Sequence, residues 1–125
     1  MLSGGQRQRV VIARALVVKP KVIIADEPVS MLDVSIRAEV LELMNEIQKE
    51  NKISFIYITH DLSTAKHFAD RIIILYNGEI VESGDANTVL TNPEHPYTQA
   101  LINAISEPDP KNLHKEKKIM WNIEN

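Results

Sequence analysis

The sequence predicts an α/β fold: a mostly parallel sheet flanked by helices, with a β-hairpin at one edge and a helical extension at the C-terminal end. Three observations predict it. Two short unbroken apolar runs, Lys21-Val-Ile-Ile-Ala25 and Ile53 to Ile58, each end abruptly in polar residues. Unbroken rather than alternating hydrophobicity suits strands covered on both faces, as in a parallel sheet. Helical patterns alternate with these runs, which argues for right-handed crossovers. Finally, Asn77-Gly78 stands between two more apolar runs, the strongest short-range signal for a type I′ turn.

The elements follow in order. From Gly4 to about Val18, Val10, Ala13, Leu16 and Val17 recur at helical spacing, with Arg7, Arg9 and Arg14 off that stripe. Pro20 stops the helix, because the residue before a proline is disfavoured in helical geometry. After the first strand, the loop Val29 to Asp33 leads to a helix from about Val34 to Glu50. Its apolar face is Ile36, Val40, Leu43, Met44 and Ile47. The second strand, Ile53 to Ile58, gives way to a short helix over Leu62 to Phe68. Arg71 to Tyr76 and Glu79 to Glu82 form the hairpin. Asp85 is placed to cap a helix reaching about Leu90. Pro96 suits a first helical position, and Tyr97, Leu101, Ala104 and Ile105 share one stripe. Glu107-Pro-Asp-Pro110 ends that helix. Residues 111–125 carry four lysines and no clear period, which predicts a solvated, flexible tail.

Composition excludes several classes. The chain has 125 residues, one domain's length, of which 44% are hydrophobic and 25% charged. With 14 basic and 17 acidic residues the net charge is -3, so no electrostatic case for nucleic-acid binding arises. There is no cysteine, hence no disulfide, thiolate metal site or cysteine nucleophile. No apolar run approaches the ~20 residues that span a bilayer. The first residues carry glycine and arginine where a signal peptide needs an apolar segment. Any membrane role is therefore expected to run through a partner.

The chemistry-bearing residues lie at element ends. Ser3 can cap the first helix, and Gln6 three residues on completes a capping-box pattern. Gly4 and Gly5 let a ligand approach the backbone, and the free amides of a helix start favour an anion. In open α/β sheets ligands bind beyond the carboxyl ends of the strands. The first strand ends in Asp26 and Glu27. A carboxylate there can hold Mg²⁺, largely through water. Its neighbour can orient or deprotonate an attacking water. The second strand ends in His60, whose imidazole can donate to a γ-phosphate while its other nitrogen accepts from a neighbour.

Together these pieces resemble the ATP-binding-cassette (ABC) ATPase domain of P-loop NTPases. Leu2-Ser-Gly-Gly-Gln6 looks like its signature, and Val22-Ile-Ile-Ala-Asp26 with Glu27-Pro28 looks like its Walker B strand and catalytic glutamate. Ser30-Met-Leu-Asp33 looks like its D-loop, and Thr59-His60-Asp61 like its switch histidine. The resemblance covers residues 1–91 and implies ATP and Mg²⁺ as cofactors. Glu27 and His60 would be catalytic, Asp26 the metal ligand, and Ser3, Gly4, Gly5, Gln6 and Asp33 nucleotide-binding. Met31 departs from the small residue usual in the D-loop. Asn92 to Leu101 with Glu107-Pro-Asp-Pro110, within residues 92–110, is similar to the extension on ATPase subunits of oligopeptide and dipeptide importers. Relatives of that subfamily import oligosaccharides or nickel. The segment Met120 to Asn125 does not look like the subfamily's cysteine-containing continuation.

That resemblance implies a second ATPase subunit, transmembrane permease subunits and, indirectly, an extracytoplasmic substrate-binding protein as partners, at the cytoplasmic face of the membrane. It also implies that the signature closes over nucleotide held by the other subunit. No Gly-x-x-x-x-Gly-Lys-Ser/Thr occurs in the sequence. The expectation is thus the C-terminal half of an ATPase domain, binding MgATP weakly by itself. The alternative is an inactive module that pairs with an intact ATPase subunit.

Overall fold

The computed structural model describes residues 4–106 and 119–123. In chain order these form α1 (Gly4–Val17), β1 (Val22–Asp26), α2 (Val34–Asn51), β2 (Ser54–Thr59), α3 (Leu62–Phe68), β3 (Arg71–Tyr76), β4 (Glu79–Asp85), α4 (Ala86–Thr91), α5 (Pro96–Ser106) and β5 (Ile119–Ile123). The strands make one sheet in the order β1-β2-β5-β3-β4. β1 and β2 are parallel, with Val22 opposite Ser54 and Asp26 opposite Ile58. β3 and β4 form the hairpin, and β5 is antiparallel to both β2 and β3. So β1, β2 and β3 share one direction, while β4 and β5 run against it.

Local chemistry explains the boundaries. The hairpin turns on Asn77 and Gly78, at φ 50° and 79°, the positive pair that a type I′ turn requires. α2 ends at Lys52, whose left-handed backbone (φ 51°) lets its N–H donate to the Gln48 carbonyl. Asp85 caps α4, its carboxylate accepting from the Thr88 N–H at 3.2 Å.

The core gathers on the sheet face that carries Phe55, Tyr57, Ile72 and Ile74, each no more than 2% exposed. Phe68 of α3 packs edge-on to Phe55 at 6.5 Å between ring centres and tilts against Tyr57 at 5.5 Å. Val40 and Met44 of α2, Leu62 and Ala65 of α3, Val89 of α4 and Tyr97 of α5 complete the cluster. Each fully buried large side chain here contributes roughly 1.5–3 kcal/mol.

Three expectations need correction. The apolar runs are not covered on both faces among the described residues: β2 alternates, with Phe55, Tyr57 and Thr59 buried between half-buried neighbours, and in β1 Val22 and Ile24 are exposed. A long apolar run does not distinguish a two-faced strand from a one-faced strand with apolar residues on its open side. In α1 the packed side is Gly5, Gln8, Ile12, Ala15 and Leu16, whereas Val10, Ala13 and Val17 face outward. The helix carries two apolar stripes, and the one containing glycine wins because it lets α1 approach α2. A Cβ on Gly5 would lie 2.7 Å from Ile36 Cγ2. Lastly, Ile119–Ile123 is a strand in the middle of the sheet, not tail. The lysines of 111–118 mask a β-prone run, Ile-Met-Trp-Asn-Ile. The rest of 107–118 and 124–125 lies outside the described residues.

Candidate functional site

The site lies where β1 and β2 end. The β1–β2 ladder continues one step past β1, with the Glu27 N–H donating to the Ile58 carbonyl at 2.8 Å. There the chain turns: Glu27 has φ 48°, in the left-handed region that non-glycine residues seldom adopt. Such a conformation costs on the order of 1–3 kcal/mol and persists only where surrounding structure enforces it. The turn separates two adjacent carboxylates. Asp26 remains exposed at the strand end, and Glu27 reaches across to β2. One oxygen of Glu27 accepts from the His60 backbone N–H at 3.1 Å and lies 2.7 Å from His60 Nδ1. The Glu27 side chain is 31% exposed and that of His60 65%.

Because its neighbour is a carboxylate, His60 Nδ1 is the donor. That reverses one expectation, in which the second ring nitrogen accepts from a neighbour. To donate also from Nε2, toward a phosphate, the ring must carry both protons.

Past Glu27 the loop is tied internally and from outside. Ser30 Oγ donates to the Glu27 carbonyl at 3.2 Å, and the Leu32 N–H donates to Val29 at 3.2 Å. Arg37, one turn into α2, reaches back over this loop. Its Nε donates to the Leu32 carbonyl at 2.7 Å and its Nη2 to the Ser30 carbonyl at 3.3 Å, while Nη1 lies 3.9 Å from the Asp61 carboxylate. Asp61 also caps α3, accepting from the Ser63 N–H at 2.9 Å. One guanidinium thus joins the Ser30–Asp33 loop to the residue after His60. Asp33 sits at the N-cap of α2 but makes no side-chain capping bond. Met31 is 95% exposed.

Helix α1 is tied to the same place. The Gln8 side-chain amide donates to the Pro28 carbonyl. A Cβ on Gly4 would meet Leu32 Cδ2 at 2.6 Å, and Gly5 packs on Ile36. Gly5 and Gln6, with Arg9, Ile36, Glu39 and Val40, line a cleft of about 230 Å³. Arg9 and Glu39 face each other there at 3.5 Å.

Of the residues singled out from sequence, Asp26, Glu27 and His60 therefore meet at one sheet edge, and Asp33 stands at the far end of the adjoining loop. Gly4, Gly5 and Gln6 begin the helix packed on that loop. Ser3 lies outside the described residues. A Cβ would crowd Leu32 at Gly4 and Ile36 at Gly5, so the residue type there also has a packing reason. Gln8 and Arg37 escaped the sequence reading. Neither left a signal in the sequence: Gln8 and Arg37 bond backbone carbonyls, and the carboxylate near Arg37 is Asp61, 24 residues away. Among the described residues no group of three or more His, Asp or Glu converges as a metal cage.

A second anchor holds the extension. Glu82 of β4 accepts from the backbone N–H groups of Glu94, at 2.5 Å, and His95, at 2.9 Å. His95 Nδ1 in turn accepts from the Tyr97 N–H at 3.0 Å, at the start of α5. Burial would raise the Glu82 carboxyl, but the two amide donors outweigh it and hold the group below the usual carboxylate range.

Residues 1–30 match the ABC transporter family, and residues 81–124 match the family described as oligopeptide/dipeptide transporter, C-terminal region. The second match runs to residue 124, past the departure read at Met120. The chain is 50% identical, over 119 residues, to the dipeptide transport ATP-binding protein DppF of Escherichia coli, covering 95% of this chain and 36% of that protein. It is 56% identical to the oligopeptide transport ATP-binding protein OppF of Bacillus subtilis, covering 86% of this chain and 35% of that protein. Thus the chain spans about a third of the length of these relatives. Its fold superposes on the ADP conformation of MJ1267, an ATP-binding cassette of an ABC transporter, with a TM-score of 0.69 and 29% identity. That superposition covers 85% of this chain and 41% of the other.

Proposed function

We propose that this chain, which belongs to the ABC transporter family, forms the hydrolytic and closing part of an ATP-driven subunit for uptake of oligopeptides or dipeptides. The observation that carries the reading is the Glu27–His60 pair beside Asp26, at the carboxyl edge of the sheet.

In this reading Glu27 takes the proton of an attacking water as the phosphoryl group leaves ATP. His60 fixes the Glu27 carboxylate through two hydrogen bonds and, when it carries both ring protons, donates from Nε2 toward the γ-phosphate. A single exposed carboxylate fits magnesium, which retains much of its water and takes its other ligands from phosphate. Asp26 would hold the ion, which when bound supplies positive charge to the phosphate oxygens. Ser3, Gly4, Gly5 and Gln6 close over nucleotide held by a second ATPase subunit, and Asp33 faces that subunit from the adjoining loop.

Peptide as cargo is supported by the names of the relatives and by the match of residues 81–124 to an oligopeptide/dipeptide transporter region. The proposed partners are a second ATPase subunit, membrane permease subunits and, indirectly, a substrate-binding protein, at the cytoplasmic face. No described helix is long and apolar enough to cross a membrane, so attachment through permease subunits is the form this reading takes.

The test is Glu27→Gln in the assembled transporter. ATP binding should persist while hydrolysis falls about 10²–10⁴-fold, the range typical of losing a general base. Full turnover would remove Glu27 from this role.

A further inference from the structure

The turn at Glu27 is fixed from two sides. Its left-handed backbone, at φ 48°, persists only where neighbouring contacts enforce it. On the β2 side, one carboxylate oxygen takes the His60 N–H and faces the ring Nδ1. On the loop side, the Glu27 carbonyl accepts from Ser30 twice, from the N–H at 3.4 Å and from Oγ at 3.2 Å. Ser30 can brace Glu27 only if its own backbone is held. Arg37 holds it, donating from Nη2 to the Ser30 carbonyl and from Nε to the Leu32 carbonyl.

These contacts close a ring. It runs from Arg37 to Ser30, from Ser30 to the Glu27 carbonyl, and from the Glu27 carboxylate to His60. Asp61, the next residue, returns it to Arg37. Asp61 is itself fixed, because its Oδ1 accepts from the Ser63 N–H and hydroxyl and leaves Oδ2 toward Arg37 Nη1. At 3.9 Å and partly exposed, that ion pair adds little. The stronger links are the bonds from a charged donor to the two loop carbonyls. A planar guanidinium suits the place, since three nitrogens donate in fixed directions, which an ammonium cannot do.

We infer that Arg37 is a positioning residue for hydrolysis: by bracing the Ser30–Asp33 loop it holds the Glu27 carboxylate on His60. This role rests on the proposed part of Glu27 as general base, and Arg37 acts through Glu27 alone. An arginine that served only to pack the start of α2 would change unfolding and leave the pair as it is.

A double-mutant cycle in the assembled transporter tests this. Arg37→Leu should lower kcat at least about tenfold while the KM for ATP stays within about twofold, the mark of a misplaced reacting group. In a Glu27→Gln background the same change should lower the residual kcat by less than about twofold, because the group that Arg37 positions is already lost. A loss of the same size in both backgrounds, or an unaltered kcat in the first, would overturn the inference and leave Glu27 in its role. Full turnover of Glu27→Gln alone would instead remove the reading on which the inference rests. In ¹⁵N-correlated spectra of the chain, Arg37→Leu should move the proton of neutral His60 from Nδ1 toward Nε2; an unmoved tautomer would equally overturn it. If Arg37→Leu does not fold, Arg37→Lys carries both readouts, keeping the charge without the fork. It should lose at least about threefold in kcat with the same tautomer shift, and unaltered values would sink the inference.

Discussion

A single carboxylate oxygen of Glu27 engages His60 twice, through the backbone N–H at 3.1 Å and ring Nδ1 at 2.7 Å. This sets the tautomer of the imidazole. In ¹⁵N-correlated spectra of the neutral ring, His60 should show its proton on Nδ1, and Glu27→Ala should shift the population toward Nε2. An Nε2-protonated ring in the unaltered chain would contradict the pairing.

The backbone of Glu27 is held at φ 48°. Glycine adopts this conformation without penalty, whereas alanine does not. Glu27→Gly should therefore be more stable than Glu27→Ala by about 1 kcal/mol in urea unfolding. Equal stabilities would mean the turn relaxes once the carboxylate is gone.

Gly4 and Gly5 should respond differently to alanine. A Cβ on Gly5 meets Ile36 Cγ2, a branch of a stiff side chain within the α1–α2 contact. Gly5→Ala should cost about 1–3 kcal/mol through overpacking, and Ile36→Ala in the same chain should recover part of it. At Gly4 the obstacle is the end of Leu32, which can rotate away, and Gly4 itself is exposed. There the improved helix propensity offsets the contact, and the change should be near neutral.

The Glu82 anchor gives acid sensitivity. Its carboxyl is held below the ordinary value of 4.5, so the folded state favours the charged form. The stabilisation is present above about pH 4.5 and is lost as pH falls through the lower folded value. Protection of the Glu94 and His95 amides, relative to the intrinsic exchange rate at each pH, should fall in that window, and Glu82→Gln should abolish that fall.

At the alkaline end the sign is opposite. Burial pushes the Tyr57 and Tyr97 hydroxyls up to about 12, assisted at Tyr57 by the Glu27 and Asp61 carboxylates and at Tyr97 by Tyr76. Unfolded tyrosine ionises near 10, so this stability is complete below pH 10 and is lost as pH rises toward 12. Absorbance titration should show two tyrosines ionising late, together with unfolding.

Much of this was legible in the residues. Asp26, Glu27 and His60 could be placed at strand ends because abrupt apolar-to-polar transitions mark where strands stop, and the structure brings Glu27 and His60 into contact. The hairpin was legible in Asn77-Gly78, since two successive positive φ values restrict the choice of residues. What stayed hidden depended on long-range pairing. The central place of β5 rests on pairing with β2 and β3, both distant in sequence, which no local pattern encodes. The packed stripe of α1 was missed because Gly5 and Gln8 earn their place by closeness to α2 and Pro28, not by hydrophobicity. Arg37 works through backbone carbonyls, which leave no mark in the sequence.

Met31 protrudes, 95% exposed, from a loop held at both ends by Arg37 and Ser30, while Met44 is 1% exposed in the core. Thioether oxidation follows exposure. Brief peroxide treatment should therefore convert Met31 to its sulfoxide while sparing Met44, an internal standard within the same chain. The loop thus carries its own chemical footprinting label. Any macromolecule that settles over it would be registered as a sulfoxide that fails to form.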